Sequence, residues 1–182
     1  MNREEAYKLL IEYTTKPGLI KHALAVEMAM RAYAEKFGED VESWGIVGLL
    51  HDFDYEKYPT SEGHPYEGAK ILKGKVPEEW ITAILGHGTY TGVKRETKMA
   101  KTLFAVDELT GLITAAALIR PDKKLAEVEL SSIKKKMKNK SFAAAVSRED
   151  ITEGARDLGI ELNEHISIVL GAMKRGAEKL GL

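Results

Sequence analysis

The stretch GLLHDFDYE, residues 48–56, raises the question that the rest of the sequence answers. Apolar residues run directly into His51, Asp52 and Asp54, so a segment with the composition of a buried helix ends in ionisable groups. An unpaired carboxylate is costly to bury, and buried charges therefore come with partners. We expect the partners of these three side chains to lie elsewhere in the chain.

The overall composition limits the classes of function. The chain has 182 residues, 44% hydrophobic and 30% charged, with a net charge of -1, which fits one domain with a sizeable core. A pI near 6.5 argues against nucleic acid as the main partner, because duplex-binding proteins usually carry a basic face. The absence of cysteine excludes disulfides and thiolate ligands and leaves histidines and carboxylates as strong metal ligands. The start, MNREEAYKLL, has no signal-peptide core, and no apolar run is long enough for a membrane span, so we expect a cytoplasmic protein.

Helical periodicity extends over nearly the whole chain, and no window shows the alternation of a strand. Lys16, Pro17 and Gly18 interrupt the first helical pattern, Pro65 and Pro77 stand where helices would begin, and Gly38 stands where one would end. The predicted helices cover residues 3–14, 18–37, 40–52, 65–74, 77–86, 96–119, 129–139, 148–158 and 162–180. Residues 147–150 resemble a capping box for the helix at 148–158. The sequence therefore predicts an all-α fold.

Four ligand-type side chains fall on the inward faces of four predicted helices: His22, His51, His87 and Asp107. His22, for example, is in line with Val26 at helical spacing. A single inward histidine is more often a hydrogen-bonded core residue than a ligand. Together, however, the four groups need each other or a cation, and a divalent metal would satisfy all of them.

Two further histidines are interpreted separately. His64 directly precedes Pro65 at the start of a predicted helix. It is a fifth candidate ligand, and its alternative role is that of a surface loop residue. His165 is far from the others in sequence, and we predict a surface or interface histidine there.

With these residues placed, the chain resembles the HD superfamily of metal-dependent phosphohydrolases, whose pattern is a His, a His-Asp pair and a later Asp on an all-α core. The corresponding stretches are KHALAVE with His22, LLHDFD with His51 and Asp52, and FAVDELTG with Asp107. The resemblance covers roughly residues 18–115 and is greatest to an HDIG-like branch of predicted hydrolases. It implies a single domain over 1–182, with an HD core at about 18–119 and a C-terminal helical extension at about 120–182.

The resemblance also implies a set of metal ligands. Its dimetal members add two histidines, and GHPYEGA with His64 and LGHGTYTG with His87 are similar to those stretches. One metal would be held by four residues: His22, His51, Asp52 and Asp107. Asp52 would bridge to a second metal held by His64 and His87, which would contact phosphate instead if only one metal binds. The expected cofactor is one or two divalent ions, drawn from Mn, Fe, Co, Ni, Zn and Mg.

A chain with such a centre would hydrolyse a small phosphoester, above all a nucleotide, through metal-activated water. Related HD nucleotidases place an acidic residue three positions after the Asp of the pair, where this chain has Tyr55. Besides Asp52, the flanking Asp54 and Glu56 are therefore the candidates for acid–base catalysis. The basic residues predicted to contact the phosphate oxygens are Lys57, Arg95 and Lys98.

Two alternatives remain open at the level of the sequence. Some HD-fold proteins with six ligands in this order are di-iron oxygenases, and the domain could also be a non-catalytic metal- or nucleotide-binding module. The basic run IKKKMKNK, residues 133–140, is interpreted as a solvated helix face because it lacks interleaved aromatic residues. The helices after residue 120 would form either a wall of the substrate site or a homodimer interface.

Overall fold

The structure consists of helices joined by turns and loops. A computed structural model describes all 182 residues as ten α-helices and one 3-10 turn, Thr89–Thr91, without strands. The helices are α1 Arg3–Tyr13, α2 Pro17–Phe37, α3 Val41–Leu50, α4 Tyr66–Leu72, α5 Glu78–Gly86, α6 Lys98–Leu118, α7 Leu130–Lys138, α8 Arg148–Asp157, α9 Leu162–Arg175 and α10 Ala177–Leu180. The all-α prediction is confirmed. No helix combines the length and the apolar composition that crossing a bilayer requires.

The hairpin of α2 and α3 is set by its two caps. Gly38 has φ of 68°, a left-handed conformation that ends α2, and Asp40 then accepts a hydrogen bond from Ser43 N–H to begin α3. Every residue of α3 from Trp44 to Leu50 is buried. A helix that is apolar on all sides belongs inside a protein, and this explains why the run before His51 has no polar face.

Two predicted helix details are wrong. The helix expected over 162–180 is broken at Gly176, where Met28 of α2 packs its sulfur into the space that a Cβ would occupy. The capping box at 147–150 is only half formed. Ser147 does accept from Asp150 N–H at 3.1 Å, but the Ser147 N–H donates to Glu108 of α6 at 3.0 Å.

The core joins α2, α3, α5, α6 and α9, with apolar residues from Ala6 to Leu180 in one connected cluster. The prediction of a surface or interface position for His165 is wrong, because its exposed fraction is 0%. Its Nδ1 accepts from the Tyr33 hydroxyl at 2.6 Å, and its Nε2–H donates to the Ala105 carbonyl at 2.9 Å. Both ring nitrogens of the buried imidazole therefore have hydrogen-bond partners.

The basic run lies largely on α7. This helix buries Ile133 and leaves Lys134, Lys135 and Lys138 exposed, as predicted for a solvated helix face.

Candidate metal centre

Six ligand-type side chains from separate elements meet at one end of the α2–α3 hairpin. They form two groups, each with ligand atoms within 4.8 Å of one another: His22, His51 and Asp107, and Asp52, His64 and His87. His22 lies on α2 and Asp107 on α6, whereas the other four lie at or beyond helix ends. The structure thus brings together all six residues that the resemblance implied as metal ligands.

The first group is centred on the carboxylate of Asp107. Its Oδ1 lies 2.9 Å from His22 Nε2 and 3.4 Å from His51 Nε2. The exposed side-chain fractions are 23% for His22, 0% for His51 and 19% for Asp107. The group is therefore sheltered but open on the side of His22 and Asp107.

The second group is centred on Asp52, which faces both groups. Its Oδ1 lies 3.1 Å from His64 Nε2 and 3.3 Å from His87 Nε2. Its Oδ2 points the other way, at 3.5 Å from His51 Nε2 and 3.9 Å from His22 Nε2. Asp52 is thus placed between the two groups with one oxygen for each.

Local helix geometry explains how two of the imidazoles are aimed. His51 and His87 each follow the last residue of a helix, α3 and α5. Each directs Nδ1 to a carbonyl three residues earlier, Gly48 O at 2.8 Å for His51 and Ile84 O for His87. The last carbonyls of a helix lack intrahelical donors, so the imidazole donates there and projects Nε2 beyond the helix end.

The other two imidazoles are oriented by side chains. His64 Nδ1 donates to Asp54 Oδ1 at 2.7 Å, and His22 Nδ1 lies 3.4 Å from Thr110 Oγ1, which itself donates to the Asp107 carbonyl. With the proton on Nδ1 in all four histidines, each Nε2 carries its lone pair towards the shared centre. Metal-binding histidines are commonly held in this way by hydrogen bonds on their far nitrogen.

The carboxylates set the proton affinity of the imidazoles. Burial lowers the pKa of His64, but the hydrogen bonds with Asp52 and Asp54 outweigh it and raise that pKa to about 9. Burial opposes protonation of His51 as well, yet Asp52 and Asp107 raise its pKa well above the ordinary value. Burial would raise the pKa of Asp107, but His51 and His22 hold it well below its usual range. The site therefore attracts positive charge, which protons or a cation can supply.

The donor set fits a divalent metal. His51 Nε2 is fully buried and has no hydrogen-bond partner, which is costly unless another group satisfies it. Imidazole nitrogens and carboxylate oxygens suit Mn, Fe, Co, Ni and Zn in overlapping ways. The candidate ligands are thus His22, His51, Asp52 and Asp107 on one side and Asp52, His64 and His87 on the other.

A cavity of about 370 Å³ opens beside the six residues. Beyond the ligands its wall includes Tyr55, Tyr90, Glu108 and Asp150, which the sequence analysis did not assign to the site. Burial and the neighbouring Asp107 raise the pKa of Glu108 to about 7, and burial also raises the pKa of Asp150. Glu108 directly follows a candidate ligand, a signal that could have been used, whereas nothing in the local sequence connects Asp150 with the site.

The two candidate acid–base residues other than Asp52 have contacts of their own. Asp54 is 1% exposed and accepts from His64 Nδ1–H and Gly68 N–H, both at 2.7 Å. Glu56 accepts from Thr15 N–H, Thr15 Oγ1–H and Lys16 N–H, just before α2. Neither lines the cavity. Acid–base catalysis by Asp54 or Glu56 stays a prediction, which these contacts do not support.

The basic residues predicted to contact phosphate also lie outside the cavity lining. Lys57 Nζ lies 3.8 Å from the centre of the Tyr13 ring, and Lys98 Nζ lies 3.3 Å from Glu39 Oε1. Arg95 stacks on Phe104 at 3.7 Å and pairs with Glu153 at 2.9 Å. Contact of these three side chains with substrate stays a prediction, and their observed partners do not support it.

Comparison with known proteins identifies one family. The profile of the HD domain matches residues 19–158, a range that contains all six candidate ligands and extends beyond the core expected at 18–119. The translation initiation factor 2 subunit alpha of Thermococcus gammatolerans is 31% identical over 86 residues, covering 46% of this chain and 29% of the relative. The same subunit of Thermococcus onnurineus is 32% identical over 83 residues, covering 44% and 28%. The chain thus matches less than a third of the length of either relative, and no solved structure matches it.

Proposed function

Because the chain belongs to the HD domain family, we propose that it is a metal-dependent phosphohydrolase that acts on a small phosphoester, with nucleotides as the leading substrate class. The main support is Asp52, whose Oδ2 lies 3.5 Å from His51 Nε2 and whose Oδ1 lies 3.1 Å from His64 Nε2. A carboxylate with one oxygen directed at each ligand group is suited to serve two cations at once.

When bound, one or two divalent cations would lower the pKa of water and polarise a phosphoryl oxygen. The residues of the chain keep the ligand atoms in place. Hydrogen bonds to Gly48 O, Ile84 O and Asp54 fix three imidazoles in orientation and tautomer, which is what a precise site requires. Asp54 thus acts as a positioning residue, through His64.

The mouth of the cavity supports a nucleotide in particular. Tyr55 and Tyr90 line the cavity with exposed fractions of 40% and 53%. Tyr55 packs edge-on against the His64 ring, and the Tyr90 hydroxyl donates to the His64 carbonyl at 3.0 Å. Two exposed aromatic rings beside the candidate ligands offer surfaces on which a nucleobase can stack.

The proposal is tested by elemental analysis of the purified protein and a panel of phosphoesters assayed with Mn, Co, Fe, Ni, Zn and Mg. We expect phosphate release from at least one nucleotide, and its loss in Asp52→Asn and His51→Ala. Asp122→Asn changes an exposed carboxylate in the turn after α6 and should retain the activity. Full activity in a variant lacking both His51 and Asp52 would contradict the proposed mechanism.

The six-ligand set also favours a second candidate, a di-iron oxygenase, because histidine and carboxylate ligands suit iron equally well. Oxygen consumption that depends on iron would support it, whereas turnover under argon with a redox-inert metal would exclude it. Tight nucleotide binding without turnover under any of these conditions would instead indicate a binding module.

A further inference from the structure

We propose that this site selects substrates with a single phosphoryl group, and that Glu108 and Asp150 accept hydrogen bonds from hydroxyl or amino groups on the organic part of the substrate. This inference rests on the proposed phosphohydrolase function and narrows its substrate class. It follows from the charges that line the cavity and from the partners of the basic residues nearby.

The cavity wall is acidic. Its 13 lining residues include four carboxylates, three histidines that all belong to the ligand groups, and no lysine or arginine. Asp52 and Asp107 belong to the ligand groups, where bound cations would offset their charge. Glu108 on α6 and Asp150 in the first turn of α8 are left to face the substrate.

Two arginines near this wall have interaction partners of their own. Arg95 stacks on the Phe104 ring, which lines the cavity, but its guanidinium pairs with Glu153 at 2.9 Å. Arg148 donates to the Ala143 and Val146 carbonyls at 2.7 Å each, and so holds the segment before α8. Neither of these arginines lines the cavity.

The consequence for substrate charge is direct. The reacting phosphoryl group would lie at the candidate metal centre. Further phosphoryl groups would lie near Glu108 and Asp150, where no lysine or arginine lines the cavity. Glu108 and Asp150 give this part of the wall a negative charge, and a wall with one sign of charge repels groups of the same sign. The site is therefore suited to a monophosphate and unsuited to a polyphosphate.

The same two carboxylates suit an organic group that carries hydrogen-bond donors. Glu108 Oε2 accepts from Ser147 N–H at 3.0 Å, which fixes the carboxyl and leaves Oε1 for a second donor. An ionised carboxylate offers only acceptors, and hydrogen bonds with a charged partner are the stronger ones. Hydroxyl or amino groups match this wall, and an alkyl group does not.

The test measures kcat/KM at pH 8.5, where both carboxyl groups are ionised, and at constant free metal concentration, for the 5′-mono-, di- and triphosphates of one nucleoside. It then compares 2-aminoethyl phosphate with propyl phosphate, which has a methyl group where the former has an amine. We expect the nucleoside monophosphate to exceed the triphosphate by at least about tenfold, the lower end of charge effects in a single-signed cleft. We also expect 2-aminoethyl phosphate to exceed propyl phosphate.

In the double variant E108Q/D150N, the kcat/KM ratios of monophosphate to triphosphate and of 2-aminoethyl phosphate to propyl phosphate should both move towards one. Circular dichroism and metal content verify that the variant is folded. E149Q, which changes an exposed carboxylate outside the cavity lining, should leave both ratios unchanged. Equal kcat/KM values of the wild type for the triphosphate and the monophosphate would overturn the inference but not the phosphohydrolase function. Equal values for propyl phosphate and 2-aminoethyl phosphate would have the same consequence. If both kcat/KM ratios persist in a folded E108Q/D150N protein, Glu108 and Asp150 do not determine the selectivity, and the inference about them is wrong. If none of the five compounds is hydrolysed, both the inference and the proposed hydrolysis of these substrates are wrong.

Discussion

Each imidazole of the candidate metal centre is held on the side that faces away from the centre. The residue types of the ligands could be predicted from the sequence, because helical spacing and the His-Asp pair are local features. The carbonyls that orient His51 and His87 are also local, three residues earlier in each case. The side chains that orient the other two imidazoles are not, since the contact between His22 and Thr110 joins residues 88 positions apart. At the scale of single residues, the sequence therefore identifies candidate ligands but not all of the hydrogen bonds that fix their tautomers.

A substitution at Asp54 tests whether hydrogen bonds to the imidazoles matter for metal binding. Its carboxylate accepts from both His64 Nδ1–H and Gly68 N–H, and Asn has only one side-chain acceptor oxygen. In Asp54→Asn one of the two donors, the His64 Nδ1–H or the Gly68 N–H, therefore faces an NH₂ group, and the neutral amide holds His64 less firmly than the charged carboxylate does. We expect metal affinity to fall by about 10–100-fold, as is common for groups that orient ligands. Competition titration against a chromophoric chelator measures this, with Asp122→Asn as the control, and an unchanged affinity would show that Asp54 does not orient a ligand.

At the scale of elements, α2 and α3 are in close contact at Gly48. A Cβ on Gly48 would lie 2.9 Å from Met30 Cγ and 3.0 Å from the Glu27 Cα. This contact sets how α2, which carries His22, stands against α3, which ends at His51. Apolar periodicity predicted both helices to within a few residues, but it holds no information about which glycine lies at a helix crossing. The packing of Met28 of α2 against Gly176 is likewise a contact between helices that periodicity does not reveal.

Gly48→Ala tests whether this close approach shapes the metal centre. The added methyl group would push α3 away from α2, and overpacking of this kind costs about 1–3 kcal/mol. We expect a lower urea midpoint in the metal-free protein and weaker metal binding. Gly171→Ala on α9 is the control, because its Cβ would lie 3.7 Å from the nearest neighbouring atom, Arg175 Nη1, and alanine favours a helix by up to about 1 kcal/mol. A Gly48→Ala protein as stable as the wild type would show that the helices can adjust at this point.

For the whole molecule, the fold class was predictable and the chemistry of the cavity was not. Helical periodicity and the order of the His and Asp residues are features of the sequence itself, and they indicated an all-α protein with a metal centre. The cavity instead combines Tyr90, Glu108 and Asp150 from three separate elements. The basic residues expected there meet distant partners, as Lys98 does with Glu39. Charge pairing between remote segments is what the sequence pattern could not reveal.

The buried contact of His165 joins α2, α6 and α9, and it predicts how the stability of the whole molecule depends on pH. Burial lowers the pKa of His165 to about 4 from an ordinary value of 6.5. Since the unfolded chain takes up this proton near pH 6.5 and the folded chain only near pH 4, the contribution of His165 to stability falls as the pH decreases through that window. The difference amounts to about 3 kcal/mol, at 1.36 kcal/mol for each pKa unit. Glu108, whose pKa is raised to about 7, contributes with the opposite sign.

His165→Gln removes this titrating group, so the free energy of unfolding of the wild type, relative to that of the variant, should fall by about 3 kcal/mol between pH 6.5 and 4. Urea unfolding in the presence of a chelator measures this without contributions from bound metal. Ser167→Ala, an exposed position on the same helix, should keep the wild-type dependence. Parallel pH profiles for the wild type and His165→Gln would mean that His165 takes up its proton at the same pH in the folded and unfolded chains, and that the core around Tyr33 and Ala105 accommodates the charged imidazole.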